Sequence, residues 1–314
     1  DPSYYGQMVV QTFPLIGNYG VMPADFESGG IHMSAYITRE WCKEPSNFRQ
    51  EMDLDTFLKK EGIPGIYDID TRALTKKIRQ CGVMNGRLTK VLPKEEEKAR
   101  LSGWKVLNAV EHVSSKKPYR IPCGIPKHHV VLWDFGAKSN IARKLHALNC
   151  EITVVPFDHT CEQILELRPD GVMLSNGPGD PKECTGVIAE LKKLYDADIP
   201  IFAICLGHQL MALATGADTF KMKYGHRGGN HPVKSLETGR VYISSQNHGY
   251  VVDTEKLDAK VAVPMFVNVN DGTNEGLSYT GKPIFTVQFH PEACSGPQDS
   301  EDLFDKFIAM MRRV

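Results

Sequence analysis

Three short stretches of this 314-residue chain carry residue types able to break an amide bond. The first is Ile199 to Gly207, Ile-Pro-Ile-Phe-Ala-Ile-Cys-Leu-Gly, an apolar run that ends in Cys205. A helical pattern starts at His208 and continues through Gln209, Leu210, Met211, Ala212, Leu213 and Ala214 to Gly216. Strand, sharp turn and helix with a thiol at the apex describe a nucleophile elbow, which lifts the reactive atom above the carboxyl edge of a parallel sheet. Small residues on either side, Ala203 and Gly207, let the backbones nearly touch at the turn. A helix N-terminus just past the cysteine favours the thiolate. Taken alone, the pattern describes a buried structural cysteine equally well.

The second stretch is Phe289-His290-Pro291-Glu292, at the end of another apolar run. A carboxylate two residues beyond a histidine can reach its far nitrogen and orient it as a base. The third is Ser175-Asn176-Gly177-Pro178-Gly179-Asp180-Pro181, whose glycines and prolines turn backbone N–H groups outward. Together they outline a Cys205–His290–Glu292 triad. A thiolate attacks an amide carbonyl and leaves a thioester, while the histidine takes the thiol proton and returns it to departing ammonia. Backbone N–H groups near Gly179 and Leu206 are the natural oxyanion donors, each contributing roughly 3 kcal/mol.

These stretches need strands that end on one edge. From Val130 the pattern alternates: strands Val130–Trp133, Glu151–Pro156, Gly171–Leu174 and Ile199–Ile204, with helices Ser139–Leu148, Cys161–Leu167 and Glu183–Tyr195 between them. Such alternation predicts a parallel sheet covered on both faces, with ligands at the carboxyl ends of its strands. β-rich segments from about 218 to 289 predict an antiparallel extension, whose last strand Ile284–Phe289 delivers His290. A helix Asp302–Arg312 closes the chain. Residues 1–113 read as a smaller mixed α/β domain. Its expected strands are Met8–Phe13, His32–Thr38 and Val83–Val91, and its helices Asp53–Lys60, Ala73–Gln80 (capped by Asp70) and Pro93–Leu101. Residues 114–127, with three prolines, a glycine and no periodicity, read as the linker to a domain at 128–314.

Composition excludes several classes. The net charge of −1 without a long basic run argues against nucleic acid or an anionic membrane as partner. No apolar stretch approaches the ~20 residues of a spanning helix, and no signal-peptide pattern is present. The eight cysteines form no Cys-x-x-Cys pair and suit reduced thiols in a cytoplasmic protein. The eleven histidines show no spacing typical of a metal site, so no metal is expected. No P-loop is present either.

The Asn-Gly-Pro-Gly-Asp-Pro loop, the Cys-Leu-Gly-His-Gln elbow and Phe-His-Pro-Glu resemble the class I (triad) glutamine amidotransferases, which hydrolyse glutamine to glutamate and ammonia. Asp-Pro-Ser-Tyr, Pro-Leu-Ile-Gly-Asn-Tyr-Gly, Glu-Gly-Ile-Pro-Gly-Ile-Tyr-Asp-Ile-Asp-Thr-Arg-Ala-Leu-Thr and Gly-His-Arg-Gly-Gly-Asn-His-Pro-Val narrow the match to the small subunit of carbamoyl-phosphate synthetase. This resemblance runs over essentially the whole chain. It implies a flavodoxin-like C-terminal sheet, and a glutamine site formed by Ser3, Gly177, Gly179, Leu206, Gln209, Asn247, Gly249 and Tyr250. It also implies a large synthetase partner that receives the ammonia through an internal channel and makes carbamoyl phosphate for pyrimidine and arginine synthesis. ATP, Mg and bicarbonate are expected on that partner and no cofactor on this chain.

Two positions depart from the family pattern. Ala203 stands where the elbow often has glycine, and Tyr250 where phenylalanine is common. The family also has a few dozen residues before Asp-Pro-Ser-Tyr, so the first domain is expected to lack its first strands. Two other readings compete: a glutaminase serving another synthase, such as for anthranilate or GMP, and a non-catalytic regulatory protein that kept the fold. The first domain argues against the former and the intact triad against the latter.

Overall fold

The computed structural model describes residues 1–293 and 296–311. The chain divides into two compact units, Asp1–Ala109 and Val110–Val314. The first unit opens with a 3₁₀ turn, Pro2–Tyr4, and carries short strands β1 (Met8–Val10), β2 (Leu15–Ile16), β3 (Ala35–Ile37), β4 (Glu40–Trp41) and β5 (Gly65–Ile66). Strands β1, β3 and β5 form a parallel sheet, and β2 pairs with β4. Helices α1 (Leu54–Lys60), α2 (Thr71–Cys81) and α3 (Glu95–Ser102) follow. Asp53 and Asp70 cap α1 and α2 by accepting the N–H of Thr56 and Ala73, each at 2.9 Å.

The strand expected at Val83–Val91 does not form. Val83, Met84 and Val91 are exposed, and no strand among the described residues pairs with them. The segment is held instead by side chains, as the Asn85 amide donates to the carbonyls of Leu101 (2.9 Å) and Trp104 (2.8 Å) and Arg87 donates to Glu97 Oε1 at 3.0 Å. Apolar residues without a partner strand cannot satisfy a ladder.

The second unit begins in α4 (Ala109–Val113), which spans the division, and continues with β6 (Tyr119–Ile121), β7 (His128–Asp134), α5 (Ser139–Ala147), β8 (Cys150–Pro156), α6 (Cys161–Glu166) and β9 (Gly171–Leu174). After α7 (Thr185–Asp196) come β10 (Ile201–Ile204), α8 (Leu206–Ala214), β11 (Asp218–Ser235), β12 (Val241–Asp253), β13 (Ala262–Asn268), β14 (Asn274–Tyr279), β15 (Ile284–Val287) and α9 (Asp302–Met311). Cys294 and Arg312 lie outside the described residues.

Among the described residues, ten strands of this unit form one sheet, ordered β12-β11-β13-β14-β15-β10-β9-β7-β8-β6. Its centre, β8-β7-β9-β10-β15, is parallel and has the flavodoxin-like order 2-1-3-4-5. The far end is antiparallel through β14, β13, β11 and β12. Strand β6, antiparallel to β8, lies within the stretch expected to be a linker. Its three residues fit between Pro118 and Pro122, as an edge strand allows.

The period-two alternation of the strands fills two cores. Val131, Trp133, Ile201 and Ala203 pack with α6, α7 and α8 on one face. Val130, Leu132, Phe202 and Ile204 pack with α5 and α9 on the other. Phe202 stacks on Phe285 at 4.4 Å between ring centroids and meets Phe304 edge-on at 5.5 Å. Each buried aromatic of this kind stabilises the sheet by roughly 2–3 kcal/mol. Continuous burial along β9, β10 and β15 makes the carboxyl ends of these strands a rigid platform. No helix among the described residues is long and apolar enough to cross a membrane.

Candidate active site

Cys205 stands between β10 and α8 with φ 53° and ψ −102°. A non-glycine residue held at positive φ costs about 1–3 kcal/mol, so the surroundings must impose it. Two hydrogen bonds do so. The Cys205 N–H donates to Val287 O at 2.8 Å, and the Gly207 N–H donates to Ser175 O at 3.1 Å. A side chain at Gly207 would put its Cβ 2.7 Å from Leu174 O, so only glycine permits this approach. The turn is confined to one residue, and α8 therefore starts at Leu206 rather than at His208. The first N–H groups of a helix lack partners within it, and that of Leu206 is the first of α8. Behind it, His208 is fully buried with Nδ1 2.7 Å from Thr286 Oγ1. Burial pushes its basicity down to about 3.

The last strand of the parallel set brings in the second and third residues. His290 Nδ1 lies 2.6 Å from Glu292 Oε1, and the His290 N–H donates to Ser245 O at 2.9 Å. His290 Nε2 has no hydrogen-bond partner among the described residues. Cys205 is among the groups that act on the ring. Burial and the Lys138 cation each lower the basicity of His290, but Glu292 and Cys205 outweigh them and raise it to about 9. Burial raises the Glu292 carboxyl, yet His290 and Lys138 bring it down to about 2. Lys138 Nζ lies 3.2 Å from Glu292 Oε1, and the Asn140 amide donates to the Glu292 backbone carbonyl.

Lys138 and Asn140 belong to none of the motifs singled out in the sequence. Both follow β7, whose carboxyl end lies on the same sheet edge as those of β9, β10 and β15. That edge is the signal that would have found them. The loop after β9 is tied to the one after β7, because Asn176 Oδ1 accepts the Lys138 N–H at 3.0 Å and Asn176 Nδ2 donates to Gly136 O at 3.1 Å.

The expected glutamine-site residues fall into two groups. Seven belong to the second unit. Gly177 packs so tightly that a Cβ there would lie 2.2 Å from Phe135 O and 2.7 Å from the Leu206 side chain. Gly179 has φ 94° and turns the loop. The Gln209 amide donates to Tyr250 O and to Gln288 Oε1, both at 2.9 Å, and so ties α8 to β12 and to the end of β15. The Asn247 Nδ2 is buried without a hydrogen-bond partner among the described residues. Gly249 and Tyr250 follow on the same strand. The Tyr250 hydroxyl is pushed up to about 12 by burial and by the neighbouring Asp180 of the Gly179 loop. Ser3 belongs to the first unit, on the turn Pro2–Tyr4, where its N–H donates to Asp1 Oδ1 at 2.9 Å.

Comparison with known proteins fits this geometry. The glutamine amidotransferase class-I family matches residues 131–310, and the carbamoyl-phosphate synthase small chain, CPSase domain family matches residues 1–88. The carbamoyl phosphate synthase small chain of Bacillus cereus is 50% identical over 312 residues, covering 99% of this chain and 85% of that protein. The chain belongs to the carbamoyl phosphate synthase small chain family. The member from Listeria monocytogenes is 50% identical over 313 residues, with 99% and 85% coverage. The member from Symbiobacterium thermophilum is 47% identical over 323 residues, with 100% and 88% coverage. A solved structure of a Thermoplasma acidophilum protein, assigned as one component of GMP synthase, is 24% identical, with a TM-score of 0.52 over 59% of this chain and 94% of that one. The two share a fold over that part of this carbamoyl phosphate synthase small chain family member.

Proposed function

We propose that this chain hydrolyses glutamine to glutamate and ammonia through a Cys205 thioester and hands the ammonia to a large synthetase partner. The observation that carries the reading is His290. Its Nδ1 is held by Glu292 at 2.6 Å, its Nε2 has no hydrogen-bond partner among the described residues, and Cys205 on its strained elbow acts on the ring. His290 takes the thiol proton, and the thiolate attacks the side-chain amide carbon of glutamine. The carbonyl oxygen gains charge, which backbone N–H groups near Leu206 and Gly179 would receive. His290 then protonates the amide nitrogen, the C–N bond breaks and ammonia leaves a glutamyl thioester. Water, deprotonated by His290, splits the thioester and returns Cys205.

Asn247 offers an orphan donor for a charged group of the substrate, and Gln209 fixes the strand that presents it. Ser3 enters this reading on the strength of the family motif alone. The partner would carry ATP, Mg and bicarbonate and make carbamoyl phosphate for pyrimidine and arginine synthesis. Ammonia released into bulk water would be lost, so a docked partner with an internal passage suits the chemistry. The cytoplasm, which keeps thiols such as Cys205 reduced, suits it as well.

The test is Cys205→Ser in the complex reconstituted with the large chain. Glutamine-dependent carbamoyl phosphate synthesis should be lost while ammonia-dependent synthesis persists. Survival of the glutamine-dependent reaction would overturn the mechanism.

A further inference from the structure

We propose that His226, His248 and Glu275 form a binding site for a divalent transition-metal ion of the zinc class. The three come from β11, β12 and β14, and all are buried. One nitrogen or oxygen from each lies within 4.8 Å of the others. This goes beyond the glutaminase reading and does not depend on it.

The hydrogen-bond pattern around the two rings carries the argument. His248 Nδ1 lies 2.7 Å from the Tyr250 carbonyl oxygen, which can only accept, so Nδ1 carries the proton. In the neutral ring Nε2 then holds a lone pair. His226 Nε2 lies 2.8 Å from Asp271 Oδ2, and the same logic leaves a lone pair on its Nδ1 when that ring is neutral. These two inner nitrogens face each other at 3.1 Å. Glu275 Oε1 lies 3.4 Å from His226 Nδ1 and also accepts the Asn268 amide at 2.8 Å.

A fourth electron-rich atom joins them. The Gln246 amide nitrogen donates to Ser244 Oγ at 3.1 Å and to Glu275 Oε1 at 3.0 Å, which fixes its orientation. Its oxygen is thereby aimed at His248 Nε2, 3.0 Å away. Glu275 Oε2, also buried, has no hydrogen-bond partner among the described residues.

Lone pairs converging from four side chains repel unless a metal ion or a proton lies between them. Tetrahedral zinc, with bonds of roughly 2.0–2.2 Å, places neighbouring ligand atoms roughly 3.3 Å apart. The observed separations of 3.0, 3.1 and 3.4 Å fit that spacing. The outer partners also fit, since metal-bound histidines usually donate their second nitrogen to a carboxylate or a backbone carbonyl. Here these are Asp271 and Tyr250. A bound ion would clamp β11 and β14 to β12, the strand that carries Asn247, Gly249 and Tyr250.

The probe is Co2+, added to the full chain after dialysis against a chelator. One equivalent should give the visible ligand-field band of tetrahedral cobalt without a sulfur-to-cobalt charge-transfer band, and Zn2+ should bleach it. His226→Ala and Glu275→Gln should each weaken binding at least 100-fold, with folding checked by near-ultraviolet circular dichroism. Asp271→Asn, at a half-exposed outer position, should weaken it about 10- to 100-fold and keeps the test open should the buried variants not fold. Absence of the band, appearance of the sulfur band, or unchanged affinity in Asp271→Asn and the folded variants would overturn the proposal. A shared proton would then be what joins the two rings. None of these readouts involves glutamine turnover, so their failure leaves the glutaminase reading untouched.

Discussion

Lys138 Nζ and His290 Nδ1 converge on one oxygen of Glu292, at 3.2 and 2.6 Å from Oε1. The lysine thus opposes the carboxylate's effect on the histidine while helping to keep that carboxylate ionised. Lys138→Met should therefore make His290 more basic. The alkaline limb of kcat/KM for glutamine hydrolysis should move up by roughly half to one pH unit. Stability should fall by about 2 kcal/mol, because a buried charge loses one of two partners. A pH profile identical to that of the parent would show that the ammonium has no influence on the ring.

Two buried histidines should set the pH of greatest stability in opposite ways. His290 is raised to about 9 in the folded chain, so its stabilising effect is complete below its unfolded value near 6.5 and is lost as pH rises through 9. The effect is on the order of 3 kcal/mol. His208 is depressed to about 3, so stability falls as pH drops from 6.5 toward 3, where only the unfolded chain takes up the proton. Urea melts across pH should peak near pH 6–7. His290→Asn should flatten the alkaline side and His208→Gln the acid side; a variant that leaves both limbs unaltered would refute the assignment.

Glycine substitutions should separate the elbow from ordinary helix. Gly207→Ala drives a Cβ to 2.7 Å from Leu174 O and 2.9 Å from Ser175 O, both backbone atoms that cannot yield. A loss of about 2–4 kcal/mol and of roughly 100-fold in kcat should follow, measured by melting and glutaminase assay. Gly186→Ala, in α7 with nothing within 4 Å, should instead stabilise by a few tenths to about 1 kcal/mol. Equal effects at the two sites would contradict the close approach.

Asn247→Ala should raise KM for glutamine about 10- to 100-fold, the worth of a hydrogen bond to a charged group. Stability should change by less than about 0.5 kcal/mol, since Nδ2 gives up no bond within the chain. A large loss of stability with an unchanged KM would assign Asn247 to packing.

Much of this is legible without the fold. The alternation from Val130 onward predicts a parallel sheet, and Cys205 and His290 stand at strand ends because their flanking runs are apolar and β-branched. Local chemistry of that kind is written in consecutive residues. Lys138 escapes such reading because it reaches Glu292 across the sheet edge rather than along the chain. The His226–His248–Glu275 cluster escapes it for the same reason, as its members sit on three strands with no motif spacing. Val83–Val91 fails in the other direction: it has strand-like composition but no neighbour to pair with. Pairing is a property of two segments, and one segment cannot declare it.

The two bonds that hold the elbow run to the ends of β15 and β9, one on each side of β10. The sulfur is therefore surveyed from the sheet, like a benchmark set in bedrock, while the groups around it ride on loops and on the antiparallel flank. Evolution or an engineer can rewrite those loops to admit a different amide, or to answer a different partner, without relocating the nucleophile. What such rewriting changes is who arrives and when, and the place where the bond is cut stays fixed.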